Sequence, residues 1–197
     1  DYLDEVRSFD GPVGAINGAF GYLMDCGIAV DGVVIVDPHP AMAKFLTPNK
    51  RTTFYLASVC APEIFDAVSG SPVMVWHSKM DPELSPAVSG GISCMTCAPY
   101  LAHQQGWRDI AIYGADSSYV DKPYVYDRGD RMCSENDHLV YIRVGGDVFK
   151  TEMGLAAQAN QLCVIHDNFP GQLDFRCDGL MRALLDSPIH DVREFAL

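Results

Sequence analysis

Gly32-Val33-Val34-Ile35-Val36 is a β-branched run with no polar residue to break it, followed at once by Asp37-Pro38-His39-Pro40. A strand that alternates apolar and polar residues has one wet face. A strand without alternation is buried on both, which is the habit of a parallel sheet covered by helices. The same grammar recurs along the chain. Residues 12–16 lead into Asn17-Gly18-Ala19, 52–57 into Ser58-Val59-Cys60, 72–76 into His77-Ser78-Lys79, and 110–113 into Gly114-Ala115-Asp116-Ser117-Ser118-Tyr119. Helical stretches separate them, at 20–26 closed by Gly27 and from Pro62-Glu63 onward. The expectation is an α/β fold, with ligands gathered outside the carboxyl ends of its strands.

The stretch from Gly90 to Tyr119 concentrates this pattern. Gly90 and Gly91 let the backbone approach a ligand closely just before a helix that is expected to start near Ile92 and end near Gly106. The first amides of such a helix lack intrahelical partners and sit at the positive end of its dipole, so they suit a phosphate, with Ser93 adding a hydroxyl. The same residues also read as a plain turn, with Asp116 and Ser117 capping the next element. Asn17 serves equally as an N-cap or as a reader of a base or sugar. Asp37 serves as a turn opener or as a holder of Mg²⁺ or a ribose hydroxyl. His77 is the best exposed imidazole, at a position where histidines are often structural.

Composition narrows the partners. The chain has 197 residues, 48% apolar and 20% charged, so one domain with a real core is expected. A net charge of −12 would repel a phosphate backbone, which argues against nucleic acid and leaves small anions held by local amides and Mg²⁺. No run of about 18 apolar residues and no signal peptide is present, so a cytoplasmic protein without a membrane partner is expected. The seven cysteines have no framework spacing, which fits a reducing compartment. Cys94-Met-Thr-Cys97 has no second ligand pair for zinc and no thioredoxin-like setting, and reads as core.

Tyr2, Leu3, Val6 and Phe9 have helical spacing from the outset, as if the chain began inside an element. Residues 120–138 read as a lid or substrate loop. There Tyr124 and Tyr126, with Tyr119 before them, offer phenols to phosphate, and His138 is a candidate general base; a solvated excursion is the other reading. A strand is expected at 139–144, a Gly145-Gly146 turn, and a short return at 148–149. Thr151 is then expected to cap a helix to about residue 165 with 153, 156, 159, 162 and 163 facing the core. A final strand at 173–177 and a helix at 179–185 follow.

Taken in order, AINGAFGYLMDCGIAVDGVVIVDPHP, YLASVCAPEIFDAV, the glycine pair with its helix, IAIYGADSSY and VFKTEMGLAAQANQL resemble the MptE-like (DUF115) proteins over roughly residues 2–185. The resemblance implies a Rossmann-like, mostly parallel sheet with helices on both faces. The family's first strand and Gly-Pro-Ser-Leu loop would lie upstream of DYLDEV, so the domain reads as N-terminally incomplete, and the exposed backbone suits a homo-oligomer. The activity implied is 6-hydroxymethyl-7,8-dihydropterin diphosphokinase: Mg²⁺ and ATP, with diphosphate transferred to a pterin alcohol. Other branches are flagellin-glycosylation proteins of the Maf type, and IAIYGADSSY also looks like part of bacterial sialyltransferases that use CMP-sugars. On the diphosphokinase reading Asp37 and Asp116 are the expected Mg²⁺ ligands. Gly90, Gly91 and Ser93 hold phosphate, Asn17 and Ser58 line the nucleoside or acceptor pocket, Gly18 and Ser117 complete the cofactor-binding set, and Tyr119 touches the leaving phosphate. A metal-independent glycosyltransferase using a nucleotide sugar, with His138 as its base, is the alternative; a nucleotide-binding module without chemistry is a third.

Overall fold

The computed structural model describes residues 2–78, 87–88, 90–91, 93–119, 139–187 and 195–196, which fall into two compact units, 1–105 and 106–197. His138, Tyr124 and Tyr126 lie outside the described residues.

In the first unit, strands β1 (Gly14–Ile16), β2 (Gly32–Ile35), β3 (Thr53–Ala57), β4 (Val73–Ser78) and β5 (Ala87–Val88) form one parallel sheet in that order. Helix α1 (Tyr2–Ser8) precedes it, α2 (Ala19–Asp25) follows β1, a 3-10 helix (Pro40–Phe45) follows β2, and α3 (Pro62–Ala67) follows β3. Helix α4 (Cys94–Gln104) closes the unit. Register explains why the apolar runs needed no alternation. Val33, Phe54 and Val73 lie side by side, as do Ile35, Leu56 and Val75, while Val34, Tyr55 and Met74 form the row between them, on the other face. The Phe20 ring of α2 meets Phe54 edge to face at 5.4 Å, whereas Gln105, just past α4, reaches Met74 on the opposite face. Helices therefore flank the sheet: Val33, Ile35, Phe54 and Leu56 are buried on one face, Val34 and Tyr55 are half-buried on the other, and Val73, Met74 and Val75 of β4 are exposed. Phe20, Val33, Ile35, Phe54, Leu56 and Ile64 are all but fully buried. Trp76 is 1% exposed, and its indole Nε1–H has no partner among the described residues. Helix α1 lies where the spacing of Tyr2, Leu3 and Val6 points, but it buries no side chain, and Phe9 beyond it is exposed.

The second unit pairs β6 (Ile110–Tyr113) in parallel with β9 (Leu173–Arg176). Beside them is an antiparallel hairpin of β7 (Leu139–Val144) and β8 (Asp147–Glu152), with β10 (Phe195–Ala196) on the far side of β7. Helices α5 (Met153–Asn168) and α6 (Gly179–Asp186) pack together, and α6 lies on β7. The hairpin's return is six residues long, not two. Lys150 carbonyl accepts from the Tyr119 amide at 2.8 Å, and the buried Thr151 hydroxyl donates to Ser117 carbonyl at 2.8 Å. Those bonds hold Thr151 in the strand, so the cap of α5 falls to Glu152 and Met153 is left exposed. Ala156, Ala159, Leu162 and Cys163 do face the core.

Candidate functional site

The carboxyl edge of the first unit's sheet is built by a repeated step. Two residues beyond the row of Ile35, Leu56 and Val75 come Asp37, Ser58 and His77, so a carboxylate, a hydroxyl and an imidazole follow three neighbouring apolar positions. Ser58 Oγ lies 2.9 Å from His77 Nδ1, and the Ser58 amide donates to Trp76 carbonyl at 2.8 Å. Asp37 Oδ1 accepts from the His39 amide at 2.8 Å, which makes it the turn opener that Asp-Pro suggested. Its Oδ2 has no hydrogen-bond partner among the described residues.

Asn17 at the end of β1 is not the cap of α2; Gly18 holds that position. The Asn17 backbone is left-handed (φ 43), a conformation asparagine tolerates better than most residues. Its side-chain Oδ1 accepts from the Cys94 thiol at 2.9 Å, and the Val36 amide donates to the same sulfur at 3.1 Å. One thiol thus ties the ends of β1 and β2 to the first residue of α4. Burial pushes the Cys94 thiol up to about 12 despite the Val36 hydrogen bond, and the nearby Cys97, Cys60 and Asp37 add to the rise. Burial likewise raises Cys97 to about 11. Both thiols are buried, as expected of core residues.

Helix α4 starts at Cys94, two residues later than expected, because Ser93 caps it. Ser93 Oγ accepts from the Thr96 amide at 3.3 Å, and Thr96 Oγ1 accepts from the Ser93 amide at 3.1 Å. This reciprocal box satisfies two otherwise orphaned amides. It also employs the hydroxyl that a phosphate would use. Gly90 has its own reason to be glycine. An added Cβ would stand 2.8 Å from Cys97 Cα and 3.1 Å from Thr96 carbonyl oxygen, so the segment before α4 packs directly on its backbone. Gly91 is exposed with φ 91, and its carbonyl accepts from the Cys97 thiol at 3.7 Å. At Gly18 an added Cβ would meet only Phe45, at an ordinary 3.7 Å.

Asp116, Ser117 and Tyr119 belong to the second unit, where they hold the start of α6 and the hairpin. Asp116 Oδ1 accepts from the Asp178 amide at 2.8 Å, and its carbonyl accepts from Met181 at 3.1 Å. Leu180 amide donates to Ser118 Oγ at 3.0 Å. Ser117 is buried with φ 54, and its hydroxyl donates to Ala115 carbonyl at 3.1 Å.

No three His, Cys, Asp or Glu side chains come together to hold a metal among the described residues. Mg²⁺ is commonly held by one or two carboxylates completed by phosphate oxygens and water. Asp37 and Asp116 suit that form, each with one oxygen fixed by a backbone amide and the other open. No helix among the described residues is long and apolar enough to cross a membrane.

The pairing of Ser58 with His77 and the joint at Cys94 are not evident from single residues. A polar residue directly after the last apolar one of each strand is the signal that places Asp37, Ser58 and His77 at one edge, and the register of Ala57 with Trp76 then brings Ser58 to His77. For the second, a buried thiol carries no such mark.

A search of curated proteins finds no match. Among solved structures the chain is similar to the Maf glycosyltransferase of Magnetospirillum magneticum AMB-1, with a TM-score of 0.66 and 14% identity. The alignment covers 91% of this chain but 30% of that one, so the chain spans under a third of that structure's length, and the likeness is one of fold. A family model described as 6-hydroxymethylpterin diphosphokinase MptE-like matches residues 7–122, from α1 through the end of β6 and beyond. With more than half of its 197 residues matched, and the polar strand ends among them, this chain belongs to the MptE-like family.

Proposed function

We propose that the protein is a nucleotide-dependent transferase that moves a diphosphate from Mg-ATP to a primary alcohol of the hydroxymethylpterin kind. The observation that carries this reading is the polar carboxyl edge of the first sheet, where Asn17, Asp37, Ser58 and His77 stand at successive strand ends and Cys94 anchors the first turn of α4 to Asn17 and to the Val36 amide. Such chemistry asks for positioning and charge neutralisation, not a covalent nucleophile. In this reading the free amides at the start of α4 and at Gly91 take phosphate oxygens, helped by the helix dipole. Asp37 offers its open oxygen to Mg²⁺, which when bound neutralises charge on the phosphates. Asn17, Gly18 and Ser58 line the nucleoside or acceptor pocket.

The test is a thermal-shift series with ATP, CTP and CMP-sugars, each with Mg²⁺ or EDTA, followed by product analysis with a hydroxymethylpterin. Ligand at about 100 times its Kd should stabilise the fold by about 2.7 kcal/mol. An Mg²⁺-dependent shift with ATP and stoichiometric AMP release are expected. A shift and turnover with a CMP-sugar in EDTA would replace this reading with glycosyl transfer, which the fold of the Maf glycosyltransferase favours as the second reading. Binding without turnover would make the chain a nucleotide-binding module.

A further inference from the structure

We propose that Ser58 and His77 form the proton-accepting pair of the transfer, with His77 as general base and Ser58 as the residue that positions it. The inference rests on the transferase reading and names the residue that takes the acceptor's proton.

The geometry is specific to the two strand ends. Ala57 of β3 is paired with Trp76 of β4, so the next residues, Ser58 and His77, fall opposite each other at the carboxyl edge. Their backbones are locked by the Ser58 amide on Trp76 carbonyl, and their side chains meet at 2.9 Å. Trp76 itself is buried, so the strand beneath the imidazole is anchored in the core. His77 is half-buried, and Nε2 has no hydrogen-bond partner among the described residues. A neutral imidazole carries one donor and one acceptor nitrogen, and the bond at one decides what the other can do. If Nδ1–H donates to Ser58 Oγ, Nε2 presents a lone pair. Ser58 is exposed, so water can take its own hydroxyl proton.

The step balances without a further reactant. The acceptor hydroxyl oxygen bonds to the β-phosphorus of ATP while its proton passes to His77 Nε2. The bond from that phosphorus to the oxygen bridging it to the α-phosphate breaks, and AMP departs with the electron pair. Deprotonation of His77 by solvent resets the site.

Two measurements test this. The first is ¹⁵N NMR of the histidine rings in the protein without ligand, with His77→Gln used to assign the signal. The Nδ1–H tautomer is expected, lost or mixed in Ser58→Ala. An Nε2–H tautomer with Nδ1 accepting from Ser58 would overturn the assignment, whatever the activity proves to be. The second is steady-state AMP release with Mg-ATP and hydroxymethylpterin. His77→Gln should lower kcat by about 100-fold or more while KM stays within about threefold, the usual scale of a general base. Ser58→Ala should give a smaller loss that Ser58→Thr restores, and imidazole should partly rescue His77→Ala. A wild-type rate retained in His77→Gln would show the pair to be a clip between strands and end the proposal. No AMP release from the wild-type protein would instead sink the diphosphokinase reading, and the base assignment with it.

Discussion

An alanine methyl at Gly90 would meet the backbone of α4 at 2.8 Å, and backbone does not move aside as a flexible side chain does. Gly90→Ala should therefore cost about 1–3 kcal/mol in a urea titration. Gly179 is more constrained. Its φ is 64, and an added Cβ would meet Ser118 Oγ and lie 2.9 Å from Asp116 carbonyl oxygen. Left-handed strain of about 1–2 kcal/mol then adds to the overpacking, so Gly179→Ala should be the more damaging of the two. Asp116 can be separated into two roles by its variants. Asp116→Ala removes the acceptor of the Asp178 amide and should destabilise by about 1–3 kcal/mol. Asp116→Asn keeps an oxygen there, so a loss of turnover at unchanged denaturation midpoint would mark a direct part in the chemistry. Full turnover in that variant would confine Asp116 to holding α6.

At the level of elements, α4 carries the most. Its capping box fixes where the helix begins, and the Cys94 thiol fixes where that beginning sits relative to β1 and β2. Ser93→Ala should lower stability by about 0.5–2 kcal/mol, and a double-mutant cycle with Thr96→Val should show coupling, because each side chain bonds the other's amide. Much of this element structure is legible in the chain itself. Unbroken apolar runs ended by polar residues announced parallel strands, and β2, β3, β4 and β6 fall where those runs lie. What escapes is anything set by a distant partner. Thr151 followed by Glu152 looks like a helix start, but a buried bond to Ser117, 34 residues away, keeps it in a strand. Asn17 looks like a cap, yet its amide is turned to a thiol 77 residues on. Local patterns report local energies, and these two positions are decided by long-range hydrogen bonds, buried at Thr151 and partly buried at Asn17. The strand-end positions of Asp37 and Ser58 were legible; that Ser58 meets His77 required the register.

Across the whole molecule, the buried thiols make stability depend on alkaline pH. Burial raises Cys60, Cys97, Cys163 and Cys177 to about 11 and Cys94 to about 12. Above the ordinary thiol value of 9.0 the unfolded chain gives up protons that the folded chain keeps. The stabilisation is thus complete below pH 9 and is lost as pH rises through 11 towards 12. Urea midpoints measured from pH 8 to 11 should fall steeply over the upper part of that range, and a flat profile would refute the burial of these groups. Among the described cysteines, only half-buried Cys26 should react readily with a thiol reagent at pH 8. The chain's two tryptophans are divided between its units, Trp76 buried in the first, its indole without a partner among the described residues, and Trp107 half-exposed in the second. Each unit therefore carries its own lamp, a blue and unquenchable emission from the first and a redder, acrylamide-sensitive emission from the second, and the loss of either unit alone would be visible as a change of colour.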